Sequence, residues 1–567
     1  MVQDVPGILE LHIDSKVSST ERYGSEISTS KTFKDSDTNF PSTSEGTSRD
    51  YKRSVKKTSN VKKRRLCESE PCWRYKVPEY SKLKHRGKIY EDNMRKMREN
   101  MSMLTPLELF ETIMSPEIYD HIVKETVRYA AVTKNKSDFV LGVDDIKSFL
   151  GILLLSGYHK LPSERHYWSN DEDLGVSLVK AAMSRNCFQR LKSVIHFCNN
   201  DVANENKQDK GFKVRKLISA FQKSFMQFSL FEESLAVDEM MVKYYGHNSL
   251  KQFIRGKPIR FGYKLWALCG SSGYCYNFDL YCGSNVDEEN KDLLVGSKIV
   301  LQMLKNVEDS KSHSVYFDNY FTGYDLLVHL RNLGFQATRT IRENRLKHCP
   351  IKSDKDLKKD KRGAYDYRFD TNEEILIIKW FDNKCVTVGS NFDTIEPLAK
   401  VQRWIKDCKS KEGVPQPHAI YNYNKNMGGV DHHDWLVGKY SVSIRGKKWY
   451  WPLFTRMLDM AVVNAWIIYR MIHGPETLDL LEFRRKICVP YLKLACLEAA
   501  VGRPRNLSRV SNSFSDVRYD TKGHVIKKRD SQRRCQNRPC KAKPRTFCGK
   551  CNVTLCVECF SSYHQKP

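Results

Sequence analysis

The stretch Leu235-Ala-Val-Asp-Glu-Met-Met-Val242 sets an aspartate, Asp238, among residues that otherwise belong in a buried strand. It reads either as a strand end passing into a turn or as a central strand carrying a functional carboxylate. The downstream residues bear on the choice. Phe261-Gly-Tyr-Lys-Leu-Trp-Ala-Leu268 and Tyr274-Cys-Tyr-Asn-Phe-Asp-Leu-Tyr281 alternate as strands do, and Gly270-Ser-Ser-Gly273 joins them as a hairpin. A helix with Ile299, Val300, Met303, Leu304 and Val307 on one face comes next, then a strand at Ser314-Val-Tyr-Phe317. A helix over 324–333, closed by Gly334, leads to a strand at Gln336-Ala-Thr-Arg-Thr340. A three-strand antiparallel meander followed by helix, strand, helix, strand is the element order of an RNase H-like fold, an α/β fold with a mixed sheet. Other α/β folds share parts of that order.

In this layout Asp238 lies on the first strand and Asp318, in Val315-Tyr-Phe-Asp-Asn-Tyr-Phe-Thr322, ends the fourth. Those strands are central neighbours, and two carboxylates placed there repel unless a cation lies between them. Asp431, in Met427-Gly-Gly-Val-Asp-His-His-Asp434, opens a helix, with Asp434 three residues on and on the same face. Taken alone, Asp431 reads as a helix N-cap. Together Asp238, Asp318 and Asp431 form an oxygen-only set suited to Mg²⁺ or Mn²⁺. Two such ions about 4 Å apart support in-line phosphodiester displacement.

The chain has 567 residues, and its 95 Lys and Arg against 67 Asp and Glu give a net charge of +28. That surplus points to a polyanionic partner, nucleic acid before an anionic membrane. There is no apolar run of about 18 residues and no basic-then-apolar signal at the start. Residues 1–75 are rich in Ser, Thr and charge and are expected to be disordered. Within them Lys52-Arg53, Lys56-Lys57 and Lys62-Lys-Arg-Arg65 read as a nuclear import signal, or as a basic arm touching phosphates. The expected domains are a helical region over 100–232, a catalytic core in two parts (233–345 and 425–475), an insertion domain over 346–424, a helical linker or DNA-binding segment over 476–510, and a cysteine-rich domain over 524–567.

Several long stretches resemble piggyBac-type transposases. They are Phe149-Leu-Gly-Ile-Leu-Leu-Leu-Ser-Gly-Tyr-His-Lys-Leu-Pro162 with Tyr167-Trp168, Val237-Asp-Glu-Met-Met-Val242, and Lys251-Gln-Phe-Ile-Arg-Gly-Lys-Pro-Ile-Arg-Phe-Gly-Tyr-Lys-Leu-Trp266. Phe317-Asp-Asn-Tyr-Phe-Thr322, Met427-Gly-Gly-Val-Asp431 and Ser443-Ile-Arg-Gly-Lys-Lys-Trp-Tyr450 continue the likeness. The resemblance implies an RNase H-like core interrupted by an insertion, a helical dimerisation and DNA-binding domain, and a tail that reads the transposon end. It also implies that Asp238, Asp318 and Asp431 are the catalytic aspartates, with Asp434 as an additional acidic position. The chemistry implied is nicking at terminal repeats, hairpin formation by the freed 3′-hydroxyl, and joining to TTAA targets by a homodimer.

Arg445-Gly-Lys-Lys-Trp-Tyr450 interleaves cations with aromatics, as a backbone-tracking and base-stacking surface would. Arg445, Lys447, Lys448 and Trp449, with Lys251, Arg255, Lys257 and Arg260, are the expected contacts to double-stranded DNA. Gly502-Arg-Pro-Arg505 has the core of an AT-hook, or is a coincidence in a basic linker. Of 18 cysteines, twelve are scattered from Cys67 to Cys496, as in a reduced protein, and six crowd between Cys535 and Cys559. Two Cys-x₂-Cys knuckles, a further cysteine pair and flanking histidines supply ligands for two structural Zn²⁺. A cross-brace groups Cys535, Cys540, Cys556 and Cys559 at one ion, and His524, Cys548, Cys551 and His564 at the other. RING and PHD modules share that logic and bind protein, but residues 501–567 hold sixteen basic and four acidic residues, which favours DNA. The leading expectation is a nuclear, metal-dependent DNA transposase. The alternative is a domesticated DNA-binding regulator that no longer transposes.

Overall fold

The computed structural model describes residues 70–81, 89–202, 208–228, 231–283, 295–321, 323–405, 409–499, 518–519, 523–537 and 540–565. The basic run 52–65 and residues 502–505 lie outside these. A short strand, β1 (Trp73–Arg74), precedes seven helices: α1 (Ile89–Met101), α2 (Pro106–Ile113), α3 (Pro116–Val132), α4 (Val143–Tyr158), α5 (Ser177–Ala182), α6 (Arg185–Val194) and α7 (Phe212–Met226). Thr105 and Glu108 form a reciprocal capping box that starts α2, with Pro106 in its first turn. Helix α4 is apolar almost all round and is buried from Ser148 to Gly157, so it runs through the core rather than over it.

The period then changes to that of strands. β2 (Ser234–Lys243), β3 (Gln252–Phe253), β4 (Phe261–Gly270) and β5 (Cys275–Leu280) lead to α8 (Val295–Leu304), β6 (Ser314–Phe317), α9 (Tyr324–Asn332) and β7 (Gln336–Thr340). β2 pairs antiparallel with β4 and parallel with β6, and β6 pairs parallel with β7. β5 adds antiparallel to β4. The sheet core is therefore the mixed α/β arrangement that the element order predicts. Helix α9 ends on Gly334 at φ 92°, with Phe335 N–H to the Leu330 carbonyl and Gly334 N–H to that of Arg331, both at 2.8 Å. This double return needs a residue at ease in the left-handed region.

After the short α10 (Asp354–Leu357), the block from 346 to 424 gives β8 (Tyr365–Asp370), β9 (Ile375–Phe381) and β10 (Cys385–Ser390). They do not form a body of their own. β10 pairs antiparallel with β7, Val388 opposite Thr340, so the sheet grows to ten strands in the order β1-β8-β9-β10-β7-β6-β2-β4-β3, with β5 on β4. Ile375 and Ile377 face the main core, while Leu376, Ile378 and Trp380 face a second, smaller one. Within this block, β11 (Ala399–Ile405) and β12 (Ser410–Gln416) pair apart from the main sheet, as a two-stranded ribbon.

The expected disorder boundary at residue 75 is too late in the chain. Trp73 and Arg74 pair with β8, Trp73 packs edge-on to Tyr324 at 5.6 Å, and Tyr80 donates to the Asp393 carbonyl at 2.7 Å. Three aromatics within eight residues gain enough by docking to order this short strap, although the composition around it is polar.

The C-terminal half of the core is helical again: α11 (His418–Asn426), α12 (Gly429–Lys439), α13 (Trp451–His473) and α14 (Leu480–Ala499). The segment expected to link or touch DNA corresponds to α14, which is a core helix. Phe483, Ile487 and Tyr491, spaced by four, are buried, and the Tyr491 and Tyr119 hydroxyls meet at 2.6 Å. Arg484 and Asp459 form a buried ion pair at 2.8 Å, and Arg484 Nε also reaches the Leu154 carbonyl at 3.0 Å. Lys448, expected on a DNA surface, turns inward: its ammonium donates to the Ile195 carbonyl and lies 4.6 Å from the Tyr129 ring. Its stem packs along the aromatic wall of the helical region, where the head meets a ring face and a carbonyl acceptor that offset only part of its desolvation. Among the described residues no helix is long and apolar enough to cross a membrane.

Two stability outcomes come from this packing. Asp459→Ala strands a buried guanidinium and is expected to cost about 3–5 kcal/mol in denaturant unfolding. Glu482→Ala, which breaks the exposed pair with Arg485, should cost less than about 0.5 kcal/mol. Burial, with Lys134 and Lys213 adding to it, pushes the Lys448 ammonium down to about 7. An unfolded lysine titrates near 10.4, so between these values the unfolded chain binds the extra proton and stability rises with pH. The wild type should therefore gain on the order of 1 kcal/mol between pH 7 and pH 9 that Lys448→Met does not. Equal gains in the two proteins would mean that Lys448 is solvated.

Candidate active site and metal-binding tail

The parallel register of β2 and β6 pairs Val237 with Phe317, so Asp238 and Asp318 come next, side by side. This is the carboxyl end of β6, where ligands collect in open α/β sheets. Asp318 Oδ1 accepts from the Thr340 hydroxyl at 2.8 Å, at the end of neighbouring β7. A polar cavity of about 630 Å³ opens beside it, lined by Asn319, Thr340, Arg342, Glu343 and Thr387 among others. Tyr423 of α11 lies near both aspartates: burial, with a smaller contribution from the charges of Asp318 and Asp238, raises its phenol above the usual range.

Asp431 arrives from the other side on α12, with its side chain 75% exposed. Two contacts seat that helix. His433 Nδ1 donates to the Gly273 carbonyl of the β4–β5 hairpin at 2.8 Å. Gly429 comes so close to the end of β4 that a Cβ would lie 2.5 Å from the Gly270 carbonyl oxygen. A side chain there would force the helix, and Asp431 with it, off the sheet.

Lys257 brings the two sides together. Its ammonium is 3.8 Å from Asp238 Oδ2, 3.6 Å from Glu239 Oε1 and 3.9 Å from Asp431 Oδ1. Glu239 has a second cation, Lys264, at 3.6 Å, and that lysine lies 3.8 Å from the Trp266 ring centroid. Burial, then the negative charge of Glu239, pushes Asp238 up to about 7, with Lys257 opposing. Asp434 stands apart: its carboxylate is paired with Arg456 of α13. Among the described residues, three or more His, Cys, Asp or Glu ligand atoms converge to within 4.8 Å of one another only in the tail. The aspartates stop short of that approach.

An all-oxygen donor set suits Mg²⁺ or Mn²⁺. Lys257 already sets one cation against two members of that set, Asp238 and Asp431, and against Glu239. Of the expected DNA contacts, Arg255, Arg260, Arg445 and Lys447 are exposed, and Lys251 is partly so. Trp449 is half-buried, its ring centroid 6.0 Å from that of Tyr263. Lys257 and Lys448 instead face the protein. Sequence patterning passed over Glu239, Lys264, Tyr423 and Arg456. It also missed the exposed aromatic pair Phe253 and Phe261, whose rings lie 4.8 Å apart among the outward cations.

In the tail, β13 (Ile526–Lys528) pairs with β14 (Thr546–Cys548), and α15 (Val557–His564) follows. His524, Cys548, Cys551 and His564 form one group, and Cys535, Cys540, Cys556 and Cys559 the other. These are the two sets that the spacing predicts. Sulfurs bound tetrahedrally at about 2.3 Å from one ion lie about 3.8 Å apart. The Cys540–Cys556 and Cys535–Cys556 separations are 3.8 and 4.0 Å, too long for a disulfide. His524 Nδ1 is 3.3 and 3.4 Å from the sulfurs of Cys548 and Cys551. His564 Nδ1 donates to the Arg518 carbonyl at 2.9 Å, the kind of outer hydrogen bond that orients a ligand imidazole. The donor set suits Zn²⁺.

Known proteins resemble this chain across most of its length. The family model described as Transposase IS4 matches residues 105–466. Human PiggyBac transposable element-derived protein 3 is 38% identical over 467 residues, 82% of this chain and 76% of that protein. Human PiggyBac transposable element-derived protein 2 is 35% identical over 463 residues, 81% of this chain and 76% of that one. A chain from a cryo-EM structure of a piggyBac transposase synaptic complex with hairpin DNA superimposes with a TM-score of 0.59. That match covers 80% of this chain and 97% of the other at 20% identity, a likeness of fold. From the family match and these relatives, the chain belongs to the piggyBac-type transposase family.

Proposed function

We propose that this protein is a metal-dependent DNA transposase that cuts phosphodiester bonds at terminal repeats and joins the freed ends to TTAA targets. The observation that supports the reading is the parallel register of β2 and β6, in which Asp238 and Asp318 directly follow the paired Val237 and Phe317, with Asp238 and Asp431 both within 3.9 Å of the Lys257 ammonium. Asp238, Asp318 and Asp431 would hold Mg²⁺ or Mn²⁺. Such ions, when bound, supply charge neutralisation for the attacking and leaving oxygens of an in-line displacement. The chain's own residues do the rest. Thr340 orients the Asp318 carboxylate, and His433 and Gly429 fix the approach of Asp431. Asp434 positions α12 on α13 through Arg456 rather than offering a free ligand. Arg255, Arg260, Arg445 and Lys447 are placed to meet phosphates of duplex DNA. Homodimerisation and a nuclear location belong to the same reading, the location resting on the basic run 52–65.

The tail takes two structural Zn²⁺. Every ligand position is filled by protein, so the ions hold the fold and leave no open site for chemistry. With a core of Cys535, Cys548, Leu555 and Cys556, so small a module cannot fold without metal.

The test of the enzyme is excision from a plasmid carrying the repeats that flank the gene. Wild type should restore a seamless donor site, and Asp238→Ala and Asp318→Ala should each lower excision at least about 1,000-fold, with both variants still binding the repeats. Repeat binding without excision by the wild type would turn the reading to a domesticated DNA-binding factor. The tail has its own test. Metal analysis should find two zinc ions per chain, and Cys548→Ser should lose one of them along with repeat binding. A zinc-free tail that keeps its helix by circular dichroism would refute the structural role.

A further inference from the structure

Lys257 is the one residue of the expected DNA-contact loop that points into the site rather than away from it. Arg255 and Arg260 on either side are exposed, and a Cβ on Gly256 would meet nothing within 4 Å. The lysine nevertheless is half-buried, and its ammonium stands 3.6–3.9 Å from carboxylates of Asp238, Glu239 and Asp431. It also lies 3.5 Å from the Glu239 carbonyl. A paired surface lysine usually closes on a single oxygen, as Lys147 does on Glu111 at 2.6 Å. Lys257 is instead near-equidistant from three carboxylates on two elements, β2 and α12. Among the described residues it is the ion pair that ties Asp431 to the sheet. Lys264 cannot substitute for it, since it pairs with Glu239 from a place over the Trp266 and Tyr320 rings.

We propose, building on the metal-site reading above, that Lys257 is an internal counter-cation. It holds Asp238 and Asp431 together in the metal-free protein and must leave them for a divalent ion to bind. Three carboxylates gathered without a cation would push α12 away from β2, and one ammonium removes most of that repulsion. A lysine suits this role: its charge is a point on a flexible four-carbon stem, so it can vacate the site without moving the backbone. An ammonium and a divalent ion cannot share the position, because like charges at such a separation repel strongly in a half-buried site. Metal affinity is thereby held down until the lysine finds another anion, and a DNA phosphate at the same surface is the nearest kind available. Lys257 is a positioning residue in this scheme, and metal loading and DNA loading favour each other.

The test is Mn²⁺ binding to the full-length, DNA-free protein, read by the loss of the free-ion electron paramagnetic resonance signal. Asp238→Asn serves as the site control, and thermal unfolding checks each fold. Lys257→Met and Lys257→Gln are both expected to bind Mn²⁺ at least tenfold more tightly than wild type, and adding duplex DNA should tighten binding by wild type but not by either variant. If wild type binds Mn²⁺ in an Asp238-dependent way and both variants bind it equally or more weakly, the counter-cation role is overturned and the metal site survives. If no protein shows Asp238-dependent binding, the metal-site reading fails and this inference falls with it.

Discussion

The structure depends on one pairing: parallel hydrogen bonding of β2 to β6 in the register that sets Val237 against Phe317. Side chains alternate along a strand, so a slip of one residue would send Asp238 to the opposite face of the sheet and dissolve the site. The register is fixed by what surrounds it. Val237, Val315 and Phe317 are fully buried, and burial on both faces leaves no alternative pairing of comparable energy. Helix α12 is held to this sheet by the Gly429 approach and the His433 hydrogen bond. The Arg484–Asp459 pair ties α13 and α14 together. The carboxylates therefore sit on elements that resist their mutual repulsion.

Charge is sorted in the same way. Exposed cations near the site, Arg255, Arg260, Arg445 and Lys447, lie where a polyanion can reach them. Lys257, Lys264 and Arg456 point inward and answer Asp238, Glu239, Asp431 and Asp434. A net charge of +28 thus has two roles, attraction at the surface and compensation inside. Lys448 belongs to neither group, because its ammonium is committed to a carbonyl and an aromatic wall.

Much of this was legible in the sequence because it rests on period and spacing. The alternation of β4 and β5, the Gly270–Gly273 hairpin and the order of strands around Asp238 and Asp318 come from patterns that two or four residues can carry. The tail is the clearest case, since a cross-brace of the Cys-x₂-Cys knuckles and their flanking ligands groups the eight residues as the structure does. What was not legible depends on contacts between distant segments. Trp73 is placed by Tyr324 and Lys347, so a composition average over the N-terminus passes over it. The strands of residues 365–390 look like an insertion in sequence order, yet they prolong the sheet because β7 offers a free edge. In α14 the buried Phe483, Ile487 and Tyr491 are hidden among Arg484, Arg485 and Lys486. Whether a lysine faces DNA or a carboxylate is likewise a matter of which side of a loop it leaves, and a linear motif such as Arg255-Gly-Lys257 does not encode that.

The most direct test of the central geometry is anomalous diffraction from crystals grown with Mn²⁺. A manganese peak bonded to Asp238 and Asp318 together, within about 2.2 Å of an oxygen of each, is the expected result. A peak held by other residues, or an Asp318 carboxylate turned away from Asp238 on a different strand register, would contradict the site described here.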